Sequence, residues 1–384
     1  MTFATTDFSA LGAAHTAREI AQQGDCWRQI PALLADADDA VKLAVAHSLI
    51  RPQEAVIFSG AGTSAYVGEI LAPALAPYAQ AFCLARHSTD VVSNPAACLP
   101  RGARGVFFAF ARSGNSPESL DSLEKLHAIA PEVTPVYITC NPEGALAKKA
   151  AAGEGLSCLM PEETHDQSFV MTSSFSTMTL FTAALCRDAL GLPALDVEAA
   201  ADAADNIVAN FYGSATLDEL AKAKRLVFLG SNALWGAARE SALKILEMTA
   251  GAIPTMAETA LGFRHGPKSL IDGDTAVIIF ASNDAYTQQF DRDIAVEVLN
   301  GSARDVFIVG SPAFFARYPE LSAHGLAHVP NGAPEEVLAV LAVIHAQLLG
   351  LRLAIDRGIA ADNPCPSGEV NRVVQGVTLY PYPH

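Results

Sequence analysis

The chain has 384 residues, 51% of them hydrophobic and 17% charged, with a formal net charge of −16 at pH 7. That length exceeds the range over which a single core grows, so two domains are expected. The acidic balance and the lack of any Lys/Arg stripe argue against nucleic acid as a partner. Any phosphate ligand must then be held locally, by backbone N–H groups, hydroxyls and helix N-termini.

From the N-terminus, Met1–Leu11 lacks a basic stretch followed by an apolar run, so no secretion signal is expected. Thr16–Gln23 reads as a helix within an N-terminal segment. Ala55–Gly60 is a continuous apolar run ending in glycine, the pattern of a strand buried on both faces. A helix is expected over Ala65–Tyr78, a second strand over Gly105–Phe110, a helix over Pro117–Ile129 and a third strand over Val136–Cys140. An apolar helix near Thr177–Leu190 closes this half. The pattern then recurs: Arg225–Gly230 matches Ala55–Gly60 at an offset of 170, Ala276–Phe280 follows the second strand at the same offset, and Val306–Gly310 follows the third. Between them lies a helix over Trp235–Ala250, and Glu335–Leu351 closes the second half.

One offset preserved at three strand ends marks a duplication. Strands alternating with helices imply parallel sheets covered on both faces. The expected organisation is an N-terminal helical segment (1–36), a first α/β domain (37–196), a second (197–355) and a Pro-rich tail (356–384). The apolar stretch Val337–Leu351 contains His345 and Gln347 and reads as too short for a membrane span, so no membrane partner is expected. Seven cysteines, an odd number with no CxxC pair, point to free thiols in a reducing cytoplasm rather than to disulfides or zinc. Neither a metal nor a cofactor is expected.

In parallel sheets, ligands bind at the carboxyl ends of the strands. The first half is rich in hydroxyls there. Gly60-Ala61-Gly62-Thr63-Ser64 follows its first strand, and Arg112-Ser113-Gly114-Asn115-Ser116-Pro117 its second. Thr172-Ser173-Ser174 precedes its closing helix. Singly, each reads as helix capping, with Ser116-Pro117 a good cap and first-turn pair. Three on one domain point to a phosphate pocket. Gly60-x-Gly62-x-x-Ala65 also resembles a dinucleotide fingerprint, but the acidic residue required about 20 residues later is missing, since that stretch reads Phe82–His87.

In the second half, Glu240, Lys244 and Glu247 form one charged stripe at i, i+4, i+7 on an otherwise apolar helix. The stripe fits either a solvated, ion-paired face or a cleft carboxylate beside Lys244 acting as a proton-transfer base. His265, in Phe263-Arg264-His265-Gly266-Pro267-Lys268, sits on a loop leading into a helix start.

These motifs together resemble the tandem sugar isomerase (SIS) family. Gly62-Thr63-Ser64, Ser113-Gly114-Asn115-Ser116, Ala242–Glu247 and His265-Gly266-Pro267 are similar, in order, to the isomerase half of glucosamine-6-phosphate synthase. The resemblance runs from Thr16 through the tail. His165–Phe169, Met171–Phe175 and Asp362–Gly368 look like its galactosamine-6-phosphate deaminase/isomerase branch, formerly labelled tagatose-6-phosphate ketose/aldose isomerase.

The resemblance implies two tandem three-layer α/β/α SIS domains with parallel, flavodoxin-like sheets. It implies phosphate contacts from Ser64, Ser113 and Ser116, with Gly62, Thr63, Arg112, Asn115, Ser173, Ser174 and Gln375 as further binding candidates. Glu247 would carry a proton between C2 and C1, with Lys244 beside it. His265 would open the sugar ring across a dimer interface, giving a homodimer or larger oligomer with shared sites. Gln375 stands where the synthase has a tail lysine, so no tail amine assists ring opening. The synthase's glutaminase nucleophile is replaced by Thr2, which favours deamination or isomerisation over synthesis. The expected activity is conversion of a hexosamine 6-phosphate to the ketose 6-phosphate plus ammonia. Plain aldose–ketose isomerisation, a non-catalytic sugar-phosphate sensor and a nicotinamide dehydrogenase are the alternatives.

Overall fold

A computed structural model describes residues 2–374 and 376–382. Among the described residues ten strands form two five-stranded sheets, parallel throughout. The first comprises β1 (Ala55–Gly60), β2 (Phe82–His87), β3 (Gly105–Ala111), β4 (Val133–Thr139) and β5 (Leu156–Leu159) in the order β2-β1-β3-β4-β5. The second comprises β6 (Arg225–Leu229), β7 (Thr255–Glu258), β8 (Thr275–Phe280), β9 (Asp305–Val309) and β10 (Gly325–Leu326) in the order β10-β9-β8-β6-β7. Counted within its own half, each sheet reads 2-1-3-4-5, the flavodoxin-like order.

The duplication extends to strand register. Ala55 lies opposite Gly105 in the first sheet, and Arg225 opposite Thr275 in the second. The third pair slips by one position: Phe107 faces Pro135, whereas Val277 faces Val306.

Both faces of each sheet are buried. Ala55, Ile57, Phe107, Ala109 and Tyr137 form one core cluster with Val91, Leu123, Leu126 and Leu146 from flanking helices and turns. The alternate residues Val56, Phe58, Val106, Phe108, Phe110, Val136 and Ile138 point the other way and are equally buried. On that face Phe58 stacks on Phe108 at 5.3 Å between ring centroids. In the second sheet Val227, Leu229, Val277, Ile279, Val306 and Ile308 pack on Ile294, Ala295 and Val298 of the helix Thr287–Leu299. Three layers in each half follow from central strands that are apolar at nearly every position.

Two compact units divide the chain differently from four consecutive blocks. The first-sheet unit is Cys26–Asp166, Ser173–Leu195 and Ser367–His384; the second-sheet unit is Met1–Asp25, Gln167–Thr172 and Asp196–Pro366. Long-range polar bonds account for the exchange. The helix Ala14–Ala21 belongs with the second sheet because Asp362 accepts from the His15 and Thr16 amides at 3.1 and 2.7 Å, placing a carboxylate at that helix start. The end of the tail belongs with the first sheet because Lys125 donates to the Tyr380 carbonyl at 2.9 Å.

Two local expectations need correction. The helices after β1 and β6 are Thr63–Leu75 and Ala233–Met248, starting two residues early. The cause is a sharp backbone turn at Gly62 and Asn232, both at φ 55°. The closing helix of the second half runs over Glu335–Asp356, 22 residues, and is long and apolar enough to cross a membrane by length and composition. Of its most apolar window 89% is buried, so it reads as a core helix.

Candidate active site

At the end of β1 the backbone turns into the helix Thr63–Leu75 with Gly62 at φ 55° and ψ −129°. A side chain on Gly60 would lie 2.5 Å from the Ser64 backbone, so only glycine lets the helix start approach the strand end this closely. Thr63 and Ser64 are buried in the first turn.

The loop after β3 is also built tightly. Arg112 is 6% exposed. Gly114 adopts φ 66°, the Ser113 hydroxyl accepts from the Asn115 amide at 3.3 Å, and the Ser113 carbonyl accepts from the Asn141 side chain at 2.9 Å. The Asn115 side-chain oxygen accepts from the Ala145 amide at 2.9 Å, starting the next helix. Ser116 occupies the N-cap of the helix Pro117–Ile129, yet its hydroxyl does not cap it and instead meets the Ser119 hydroxyl at 2.6 Å.

Ser173 and Ser174 open the closing helix Ser173–Ala189 and are fully buried. Both hydroxyls donate to the Asp166 carboxylate at 2.5 Å, and the Ser174 amide donates to it at 3.0 Å. A carboxylate of the chain therefore sits where the helix N-terminus would receive an anion. Asp166 lies within the quoted His165–Phe169 motif, but its pairing with the serines is a tertiary contact that spacing does not reveal. Nearby, burial of His165, with the charges of Arg372 and Arg112 adding to it, pushes the imidazolium below its ordinary range. Gln375 lies outside the described residues.

In the second-sheet unit the charged stripe is not a solvated face. Glu240 and Lys244 are fully buried, with Nζ to Oε1 at 3.4 Å, while Glu247 is 24% exposed and accepts a hydrogen bond from Lys244. Burial opposes the charge on Lys244, and the two carboxylates overcome it and hold the ammonium above its ordinary value. Gly350, on the closing helix Glu335–Asp356, lets that helix pack closely here. A side chain there would lie 2.9 Å from Met248 Sδ. The stripe is thus an ammonium locked between two carboxylates, of which only Glu247 reaches solvent.

His265 is exposed, on the loop after β7, and its ring makes no hydrogen bond among the described residues. The loop itself is fixed. Phe263 is buried in the core, and the flanking Arg264 and Lys268 both pair with Glu297 on the helix Thr287–Leu299, the former at 2.6 Å. Sequence spacing gave no sign of Glu297, some thirty residues downstream.

The second copy treats its corresponding strand end differently. Asn283 lies 170 positions after Ser113; its amide donates to Glu335 at 2.8 Å, and the Ser282 hydroxyl donates to the same oxygen at 3.0 Å. Asp291 beside it is pushed up to about 7, mainly by burial, with the Ser282 amide and Ser231 hydroxyl pulling down and Glu335 pushing up. At the end of β2, where a dinucleotide site needs an acid, His87 pairs with Glu69 at 2.7 Å.

The SIS domain model matches residues 49–187 and 219–354. A D-galactosamine-6-phosphate deaminase of Shewanella sp. is 37% identical, covering 97% of this chain and 93% of its own. One from Escherichia coli O157:H7 is 38% identical over 85% of both chains. The crystal structure of tagatose-6-phosphate ketose/aldose isomerase from Escherichia coli superposes with a TM-score of 0.83 at 32% identity, covering 96% of each chain.

Proposed function

The chain belongs to the SIS domain family, and we propose that it deaminates and isomerises a hexosamine 6-phosphate, with D-galactosamine 6-phosphate as the substrate. The observation that carries this reading is the buried Glu240–Lys244–Glu247 array, in which one carboxylate alone is partly exposed. Such a carboxylate is a proton carrier held in one geometry by a charge that cannot itself leave. The full-length relatives named as D-galactosamine-6-phosphate deaminases support the substrate.

His265 opens the ring, exposing the aldehyde at C1. Glu247 takes the proton from C2, giving an enaminol, and returns it to C1, giving an imine at C2. Water adds to that imine and ammonia leaves, so the products are ketose 6-phosphate and ammonia and the reaction is hydrolytic. Gly62, Thr63, Ser64, Ser113 and Ser116 hold the phosphate through hydroxyls and helix-start amides. Asn115, Ser173 and Ser174 act one step back, since their side chains are engaged by Ala145 and Asp166. Lys244 positions Glu247.

The exposed His265 on a clamped loop supports a homodimer or larger oligomer in which it serves the partner's site. The buried thiols of Cys140 and Cys158, both pushed up to about 12 by burial, support a reducing cytoplasm.

Ammonia release from D-galactosamine 6-phosphate by the wild type and by Glu247→Gln tests the assignment. Loss of a proton carrier typically costs about 10²–10⁴-fold, and equal rates would remove Glu247 from the mechanism. The resemblance to the tagatose-6-phosphate isomerase structure favours one second reading, isomerisation alone. Sugar interconversion without ammonia in the same assay selects it.

A further inference from the structure

Two arginines in the first-sheet unit join the loop after β3 to the chain's tail. A terminal nitrogen of Arg112 donates to the Arg372 carbonyl at 3.1 Å. Arg372 in turn donates from a terminal nitrogen to the Asp166 carbonyl, the residue whose carboxylate binds Ser173 and Ser174. Arg372 is thereby fixed at both its backbone and its side chain, beside the Ser113–Ser116 loop.

A guanidinium so fixed has other N–H groups to satisfy. The Nε of Arg372 is buried and has no hydrogen-bond partner among the described residues. An unmet buried donor costs about 1–3 kcal/mol, and more on a charged group. Proteins rarely leave one without a functional reason. A second observation gives its surroundings: Arg372 and Arg112 both act on His165 strongly enough to oppose its protonation. In a chain of net charge −16, two guanidinium groups are thus concentrated on one spot, next to hydroxyls and a helix start.

Resting on the sugar-phosphate reading above, we propose that Arg372 is a ligand of the substrate's phosphomonoester dianion, offering its Nε edge, with Arg112 holding the tail backbone in register. Arginine suits this role because its planar fork matches two phosphate oxygens at once. The tail then takes part in the site. It contributes a cation, so phosphate binding and tail docking reinforce each other. No motif in the sequence singles out Arg372, whose place depends on a contact 206 positions away along the chain.

The test compares the full-length wild type with Arg372→Ala and Arg372→Lys. Calorimetric titration with inorganic phosphate gives Kd, and steady-state kinetics with D-galactosamine 6-phosphate give KM and kcat. Arg372→Ala is expected to raise both Kd and KM by about tenfold or more, the loss of one charge-assisted bond, with kcat within about threefold of wild type. Arg372→Lys is expected to fall between, keeping the charge and losing the fork, and it carries the test if the alanine variant does not fold. Folded variants that bind inorganic phosphate as tightly as the wild type overturn the proposal. So does a fall in kcat with Kd and KM unchanged, which would make Arg372 a tail latch acting through the Asp166 carbonyl alone. A wild type that binds phosphate through Arg372 yet releases no ammonia would sink the deaminase reading and support this one.

Discussion

Gly62 and Asn232, 170 positions apart, make the same backbone turn: φ 55° in both, with ψ −129° in one and −119° in the other. Each is the N-cap of the helix that follows the first strand of its half, and neither caps with a side chain. Glycine adopts this conformation freely; asparagine does so under strain, because this region is almost closed to residues with a Cβ. A side chain at Gly62 would meet nothing within 4 Å, so the cost of one there is backbone strain alone.

Asn232→Gly is therefore expected to stabilise the second-sheet unit by about 1 kcal/mol, the strain relieved exceeding the extra unfolded-state freedom of glycine. Gly62→Ala should destabilise by about 1–3 kcal/mol. Urea denaturation of the two variants against the wild type checks both signs. A destabilised Asn232→Gly would show that the asparagine side chain makes a compensating contribution.

Glu297 holds Arg264 and Lys268 on either side of His265. All three side chains are about a third exposed, so the ion pairs contribute little to global stability, about 1 kcal/mol or less. Their larger effect is on the placement of the loop. Glu297→Ala is expected to lower kcat by about 3–10-fold while leaving the melting midpoint nearly unchanged. Kinetics and a thermal melt on one preparation decide it, and an unchanged kcat would mean that Phe263 fixes the loop without help.

Asp291 is 1% exposed, and its carboxyl is raised from 3.8 to about 7, first by burial. Because the folded state holds this proton more tightly than the unfolded state, its stabilising contribution is complete below about pH 4. It is lost as pH rises through about 7. At about 1.4 kcal/mol per unit, the loss is on the order of a few kcal/mol. Glu335, also raised by burial, adds in the same direction. Asp291→Asn should flatten this dependence, gaining stability relative to the wild type between pH 5 and 8. Parallel melting curves across that range for both proteins would refute the assignment.

The inner strands were legible because β1, β3, β6 and β8 are apolar at nearly every position, and a fixed offset ties them together. The outer ones were not. β2 carries Arg86 and His87 and is partly exposed, β5 and β7 have four residues each, and β10 has two. Edge strands buried on fewer sides lack the apolar run that reveals a central strand. Within the site, Glu240, Lys244 and Glu247 were visible as a stripe, but spacing alone could not decide between a wet face and a buried array. That depends on the closing helix packing over it, nearly a hundred residues downstream in sequence. The pairings of Asp166, Glu297 and Arg372 gave no local signal, since each acquires its meaning from a partner brought close by the fold.

Glu335 remains the sharpest difference between the two copies. It takes the Asn283 amide and the Ser282 hydroxyl at the strand end that corresponds to the serine loop of the first copy. Because this carboxylate is part of the same chain, it competes at an effective concentration on the order of millimolar or above, whatever the surroundings contain. A free phosphate would have to displace it and strand a buried acid without its donors. The second half is self-liganded at this strand end: a carboxylate of its own chain takes the donors and holds the loop in shape.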